Sequence, residues 1–155
     1  MDYFDKRRQL GQHIVVQGGT FHNDAVLRAL EKLKARRLTI VTPYPDEVNE
    51  KERLFLEHLG YTVDEIVGLG HEDPRLIPKT EPQEIYDLAK KAWKPTSEAL
   101  FVSCTGLCIL DVIPPLEEAL GAPLVTSNQA SVWEIGTFFG HHSEESKRKL
   151  GQLFQ

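Results

Sequence analysis

The sequence predicts an α/β fold: a three-layer sandwich whose middle layer is a mostly parallel sheet of four to five strands. Three observations lead there. Short β-rich runs alternate with segments of helical spacing along the whole chain, the pattern of βαβ units with right-handed crossovers. Near-continuous apolar runs such as Ala99-Leu-Phe-Val102 suit strands covered on both faces. A length of 155 residues fits one domain with a buried core.

Taken in order, the β-rich runs lie at 13–17, 38–42, 62–67, 99–103 and 123–126. Helical spacing fills 25–34, 47–59, 83–93, 116–120 and 131–139. The punctuation agrees. Asp46 is placed to cap a helix starting at Glu47, and Gly60 follows its last periodic residue, Leu59. Pro115 suits the first turn of a helix that Gly121 closes. Residues 70–82 hold three prolines and mixed charge. They read as a loop, long enough to act as a lid over a site.

One internal echo bears on domain organisation. Leu10-Gly-Gln-His-Ile-Val-Val-Gln17 resembles Leu120-Gly-Ala-Pro-Leu-Val-Thr-Ser127, 110 residues later. A repeat of that period suggests a two-lobed design. Residues 21–142 are then one complete C-terminal lobe, residues 1–20 the last helix and strand of a preceding lobe, and residues 143–155 a C-terminal tail. The preceding lobe itself is expected to be missing. Chance similarity between two strand entrances is the alternative.

Composition narrows the function classes. Hydrophobic residues make up 41% and charged residues 26%, and 18 basic against 23 acidic side chains leave a net charge of −5. That balance argues against a polyanion-binding surface. The one basic cluster, Lys147-Arg148-Lys149, follows Glu144 and Glu145 and reads as a solvated helix face, so no nucleic-acid partner is expected. No apolar stretch approaches the roughly 20 residues that span a bilayer, and the charged N-terminus has no apolar signal core. Two cysteines four residues apart make no disulfide framework. A reducing, cytoplasmic location with free thiols is the expectation.

The clearest chemical signal is Ser103-Cys-Thr-Gly-Leu107, directly after the apolar run 99–102. In open α/β sheets ligands sit beyond the carboxyl ends of the strands. Small residues there let backbone N–H groups point into a crevice, and the helix that follows attracts anions. A thiol so placed has its thiolate stabilised and becomes a nucleophile or a base. The plainer alternative is a small buried cysteine at a strand end. Two other strand ends offer matching parts. Tyr44, in Thr42-Pro-Tyr-Pro-Asp46, is placed to donate its phenol hydrogen to a carboxylate or a developing enolate oxygen. Asn128 or Ser127, after the run 123–126, is placed to bind a second carboxylate. Against these stand an ordinary rim tyrosine and a helix-capping asparagine.

Other residues are set aside. Cys108 lies beyond C-x-x-C spacing from Cys104 and reads as packed against the sheet, which leaves a thiol redox role for the pair poorly supported. His141 and His142 lack a third ligand in sequence reach, so no metal site is expected. No glycine-rich phosphate loop follows any strand. Trp133, Phe138 and Phe139 are most simply core.

Taken together the motifs look familiar. Thr42-Pro-Tyr-Pro-Asp-Glu-Val-Asn49, Ser103-Cys-Thr-Gly-Leu107, Leu110-Asp-Val-Ile113, Val125-Thr-Ser-Asn-Gln-Ala130 followed by Trp133, and the tail Leu150-Gly-Gln-Leu-Phe154 occur in order at sensible spacing. They resemble the Asp/Glu racemase superfamily, on the branch of maleate cis-trans isomerase and arylmalonate decarboxylase. The resemblance covers about residues 10–154.

That resemblance implies a flavodoxin-like lobe and cofactor-independent chemistry on small carboxylic acids, with neither metal nor cofactor. It implies two pseudo-symmetric lobes, each placing a residue at a strand end, typically a cysteine, on either side of the substrate carbon. Cys104 matches the second-lobe cysteine, which serves as proton donor or base. Tyr44 matches the tyrosine that contacts a substrate carboxylate. Thr105 and Gly106 match the backbone anion pocket, and Asn128 its neighbouring turn. The sequence departs from the pattern twice. The first-lobe cysteine motif is missing, and Gly70-His-Glu-Asp-Pro-Arg75 lacks the asparagine that the branch often carries there. The expected partners are a small mono- or dicarboxylate substrate and a second copy of the chain, since a lobe without its mate exposes an apolar face. A shortened, non-catalytic relative that binds a carboxylate or a protein is the alternative function.

Overall fold

A computed structural model describes residues 20–155, so the run at 13–17 and the earlier half of the echo lie outside the described residues. Four strands form the sheet: β1 (Arg37–Thr42), β2 (Thr62–Gly68), β3 (Ala99–Val102) and β4 (Leu124–Thr126). Their order is β2-β1-β3-β4 and every pairing is parallel. Helix α1 (Thr20–Lys32) precedes β1, α2 (Asp46–His58), α3 (Pro82–Ala92) and α4 (Ile113–Leu120) run between the strands, and α5 (Ser127–Phe138) and the short α6 (Glu144–Lys149) follow the last strand.

The apolar runs are strands because both their faces are covered. All four residues of β3 and all three of β4 are buried. Alternation along each strand divides the core in two. Leu38, Ile40, Ala99, Phe101 and Val125 face a layer that includes Leu30 of α1, Leu56 of α2 and Trp133 of α5. Val41, Leu100, Val102 and Leu124 face Ile85 and Ala89 of α3 and Leu116 of α4. The result is the expected three-layer α/β sandwich on a parallel sheet, here with four described strands.

Several local expectations shift. The N-cap of α2 is Pro45, with Asp46 as the first helical residue and no side-chain cap hydrogen bond. Asp46 therefore serves the positive end of the helix dipole by its charge alone. Helix α5 begins at Ser127 rather than 131, because Thr126 and Gln129 close a capping box at the end of β4. The loop 70–82 contains a 3-10 helix, Pro74–Lys79, capped by Asp73. Cys108 is exposed rather than packed on the sheet. Trp133 is core as expected, but Phe138 and Phe139 are 83% and 75% exposed.

The C-terminal tail belongs to this core. A final 3-10 turn, Gln152–Phe154, buries Leu153 and Phe154, and Lys32 Nζ donates to the Leu153 carbonyl. The Glu117 carboxylate on α4 accepts from the backbone N–H groups of both Leu124, at 2.9 Å, and Gln152, at 2.9 Å. His142 stacks edge-on against Phe154 with ring centroids 5.2 Å apart, which gives one of the paired histidines a packing role. Among the described residues no helix is long and apolar enough to cross a membrane.

Candidate active site

The strand order places a topological switch between β1 and β3. The chain leaves β1 for one neighbour, β2, and later returns to add β3 on the other side. A crevice opens at such a point beyond the carboxyl ends of the two strands. Tyr44 follows β1 and Cys104 follows β3, so both candidates flank it.

The turn after β1 is held by its own side chains. Thr42 Oγ1 donates to Asn49 Oδ1 at 2.6 Å and accepts the Tyr44 N–H at 3.0 Å. This folds Pro43-Tyr44-Pro45 back onto the start of α2. The far side is tied to the end of β2, where Gly70 N–H donates to the Tyr44 carbonyl and His71 N–H to that of Pro43. A glycine is required at position 68, since a Cβ there would stand 2.0 Å from the Tyr44 carbonyl oxygen.

The turn after β3 carries backbone strain. Ser103 N–H still donates to Val41 O at 3.0 Å, continuing the sheet. Cys104 then adopts φ 144°, a conformation that an L-residue tolerates at a cost of about 1–3 kcal/mol when its surroundings impose it. Here the surroundings are identifiable. The Cys104 N–H donates to Ser127 Oγ at 3.2 Å, and Asn128 Nδ2 donates to the carbonyls of Thr105 at 3.1 Å and Leu107 at 3.2 Å. The capping box that starts α5 early thus brings Ser127 and Asn128 under the cysteine turn. Asn128 holds that turn, with its amide hydrogens committed to two carbonyls.

The cysteine sulfur has its own donors. Gly106 N–H donates to Cys104 Sγ at 3.3 Å, and the Tyr44 phenol hydrogen-bonds the Cys104 side chain. Burial first, then that bond and the negative charges available to Cys104 and Glu52, push the Tyr44 phenol well above its ordinary range. Tyr44 is therefore a proton-holding donor at neutral pH. Cys104 is partly buried. Ile77, from the 3-10 helix in the loop after β2, lies against Gly106, with its Cγ2 3.0 Å from where a Cβ would stand. The segment read as a lid thus reaches the cysteine turn.

The structure brings Cys104, Tyr44, Gly106, Thr105 and Asn128 together at the carboxyl ends of β1, β3 and β4. It adds two residues that the sequence reading did not single out. Asn49 is 3% exposed, and its Nδ2 has no hydrogen-bond partner, although its Oδ1 anchors the Tyr44 turn. Glu52 is partly buried, accepts a hydrogen bond from the Ser103 side chain, and has its carboxyl pushed up to about 7, mainly by burial. A signal existed for both: Asn49, Glu52 and Leu56 recur at helical spacing on the stripe of α2 that turns inward. Among the described residues no group of three or more His, Cys, Asp or Glu side chains is placed to hold a metal ion.

Known proteins share this arrangement of elements. The family model of arylmalonate decarboxylase matches residues 12–154. The arylmalonate decarboxylase of Bordetella bronchiseptica is 33% identical over 137 residues, which is 87% of this chain and 57% of that one. The maleate isomerase of Nocardia farcinica is 25% identical over 115 residues, 72% of this chain and 45% of that one. The solved structure of unliganded arylmalonate decarboxylase superposes with a TM-score of 0.76 at 31% identity, covering 86% of this chain and 58% of that chain. That of Nocardia farcinica maleate cis-trans isomerase superposes with a TM-score of 0.78 at 21% identity, a likeness of fold alone. The chain spans about half the length of these curated relatives. The motif resemblance to the Asp/Glu racemase superfamily holds, and the chain belongs to the arylmalonate decarboxylase family.

Proposed function

We propose that residues 21–142 are the C-terminal lobe of a cofactor-independent isomerase- or racemase-type enzyme, maleate cis-trans isomerase-like, acting on small carboxylic acids through Cys104. Residues 1–20 derive in this reading from a preceding lobe, and the enzyme works in the cytoplasm. One observation carries the reading: a cysteine held in a strained backbone at the switch point, its sulfur met by a phenol and a backbone amide.

The chemistry follows from those contacts. In proton exchange the Cys104 thiolate takes the proton from the carbon next to a carboxylate. The freed electron pair spreads onto the carboxylate, and the new S–H returns the proton. In addition to an unsaturated acid, an S–C bond forms at one carbon and the π pair moves to its neighbour. The bond between the two carbons then rotates freely before the thiolate leaves again. Either route develops negative charge on carboxylate oxygens, which in this reading the Tyr44 phenol and the backbone N–H groups of Thr105 and Gly106 take up when substrate meets the thiolate. Asn128 supports the pocket by fixing the turn that carries those groups.

Alkylation by iodoacetamide, read by mass spectrometry, tests the reading. Cys104 is partly buried and Cys108 exposed, so exposure alone favours Cys108. Faster labelling of Cys104, slowed by maleate or an arylmalonate, supports an activated thiol in a carboxylate site. Equal or slower labelling, indifferent to every dicarboxylate tried, removes it. The alternative reading is a non-catalytic carboxylate- or protein-binding module. Protection without turnover, both in this chain and in a form extended at its N-terminus, selects the module.

The reading includes self-association. Val132, Ile135 and Phe138 of α5, with Phe139 just after it, leave an exposed apolar face, so a homodimer is expected in sedimentation at tens of micromolar. A monomer there refutes it.

A further inference from the structure

The C-terminal turn and the cysteine turn meet through one buried side chain. Gln129, on the first turn of α5, is fully buried. Its Oε1 accepts the Thr126 N–H at 2.9 Å, and its Nε2 donates to the Leu150 carbonyl at 2.5 Å. These partners fix the orientation of the carboxamide, since Thr126 offers a donor and Leu150 an acceptor. The Gln129 N–H closes the same capping box by donating to Thr126 Oγ1 at 2.9 Å. The two residues inside the box, Ser127 and Asn128, are the ones that grip the turn after β3. Ser127 Oγ accepts the Cys104 N–H, and Asn128 Nδ2 donates to the carbonyls of Thr105 and Leu107. Leu150 is thus joined to the strained Cys104 by hydrogen bonds and a single helical turn.

The far end of that path is the seat of the final 3-10 turn. Strand β4 is three residues long and, among the described residues, pairs only with β3. The C-terminal turn lies against β4 and α5. Leu153 and Phe154 are buried there, Glu117 accepts the N–H groups of Leu124 and Gln152, and Lys32 donates to the Leu153 carbonyl. Lifting this turn takes the Leu150 carbonyl from Gln129 and leaves a buried amide donor unpaired, a costly state that favours opening of the box.

We propose that Gln129 is a positioning residue that makes the C-terminal turn a clasp on the cysteine turn. With the clasp seated, the box is complete and Ser127 and Asn128 hold Cys104 at φ 144°. With it lifted, the box opens and Cys104, Thr105 and Gly106 relax, carrying their N–H groups away from where a carboxylate is bound. The inference rests on the reading of that turn as a carboxylate site.

Amide hydrogen exchange in the 155-residue chain, followed by NMR, tests the clasp, because local opening and global loss of stability release different amides. Leu153→Ala and Leu38→Ala truncate the same side chain at fully buried positions, one in the clasp and one near the start of β1. In Leu153→Ala the Cys104 and Gly106 amides should exchange about tenfold faster than in the parent, or more, with those of α3 unchanged. Leu38→Ala should not single out the cysteine turn. In Gln129→Glu the protonated carboxyl can donate to Leu150 and accept from Thr126, whereas the ionised one only accepts. Protection of the Cys104 and Gly106 amides should then match the parent at pH 5 and fall at pH 8. Coupling is reciprocal. Maleate at ten times the concentration that half-protects Cys104 from iodoacetamide should slow exchange at Gln152 about tenfold in the parent. Parent-like exchange at Cys104 and Gly106 in Leu153→Ala, or a rise only in step with α3, overturns the clasp. So does maleate that protects Cys104 and leaves Gln152 unchanged. Maleate that fails to protect Cys104 in the parent overturns the carboxylate-site reading instead, and the two variants still decide the clasp.

Discussion

Replacing Glu52 by glutamine should make the fold more stable at alkaline pH and leave it nearly unchanged in acid. The carboxyl rises from its ordinary 4.5 to about 7 in the folded chain. Between those values the folded protein keeps a proton that the unfolded chain has released. The native state then binds more protons than the unfolded state, and stability falls as pH rises through that window. At about 1.4 kcal/mol for each tenfold in proton affinity, the penalty reaches about 3 kcal/mol above pH 7 and is about 1 kcal/mol at pH 5. Glutamine carries no such penalty and retains an acceptor for Ser103. Urea unfolding of both chains at pH 5 and pH 8 measures the effect. The gain from Glu52→Gln should be about 2 kcal/mol larger at pH 8, which is roughly 4–8 °C in Tm for a domain of this size. A gain equal at the two pH values, or a loss at pH 8, would mean that Glu52 is ionised throughout and that burial does not control it.

Two further substitutions test the supports of the crevice. Gly68→Ala sets a methyl group 2.0 Å from the Tyr44 carbonyl oxygen and 2.7 Å from Asn49 Nδ2. Since a backbone atom must move, a loss of about 2–4 kcal/mol in urea unfolding is expected, together with a changed Cys104 labelling rate. A parent-like midpoint would show that β2 and the Tyr44 turn do not approach so closely. Glu117→Ala leaves the N–H groups of Leu124 and Gln152 without their acceptor, at about 1–3 kcal/mol for each group that stays buried. The C-terminal turn should then become the first site of proteolytic clipping, and an uncut tail would show that Leu153 and Phe154 anchor it unaided.

Much of the architecture was legible because its causes are local. β-rich runs at 38–42, 62–67, 99–103 and 123–126 read as strands, and the near-continuous apolar run 99–102 as one covered on both faces, as the burial of all of β3 and β4 bears out. The closing glycine of α4 adopts φ 65° at position 121, the left-handed cap that its place in the sequence announced. Boundaries slipped where side chains reach across turns. The Thr126–Gln129 capping box pulled α5 forward by four residues, although the T-x-x-Q spacing was present to be read. Phe138 and Phe139 read as core in sequence but lie exposed, because helical spacing registers apolarity and not what lies opposite it.

For the crevice the division is sharper. The sequence by itself determined that Tyr44, Cys104 and Asn128 follow apolar runs, and parallel strands carry their ends to one edge of a sheet. Only the tertiary structure decided which of those ends are neighbours, because strand order is set by long-range packing that no local pattern encodes. It set β1 beside β3, so that Tyr44 reaches the Cys104 sulfur. It also turned Asn128 from a group free to meet a ligand into one that holds Thr105 and Leu107. The strain at Cys104 and the displaced ionisation of Glu52 belong to the same class. One is a backbone conformation imposed by hydrogen bonds from α5, and the other is a carboxyl removed from water by elements distant in the chain. Both arise from through-space surroundings, which exist only once the chain is folded.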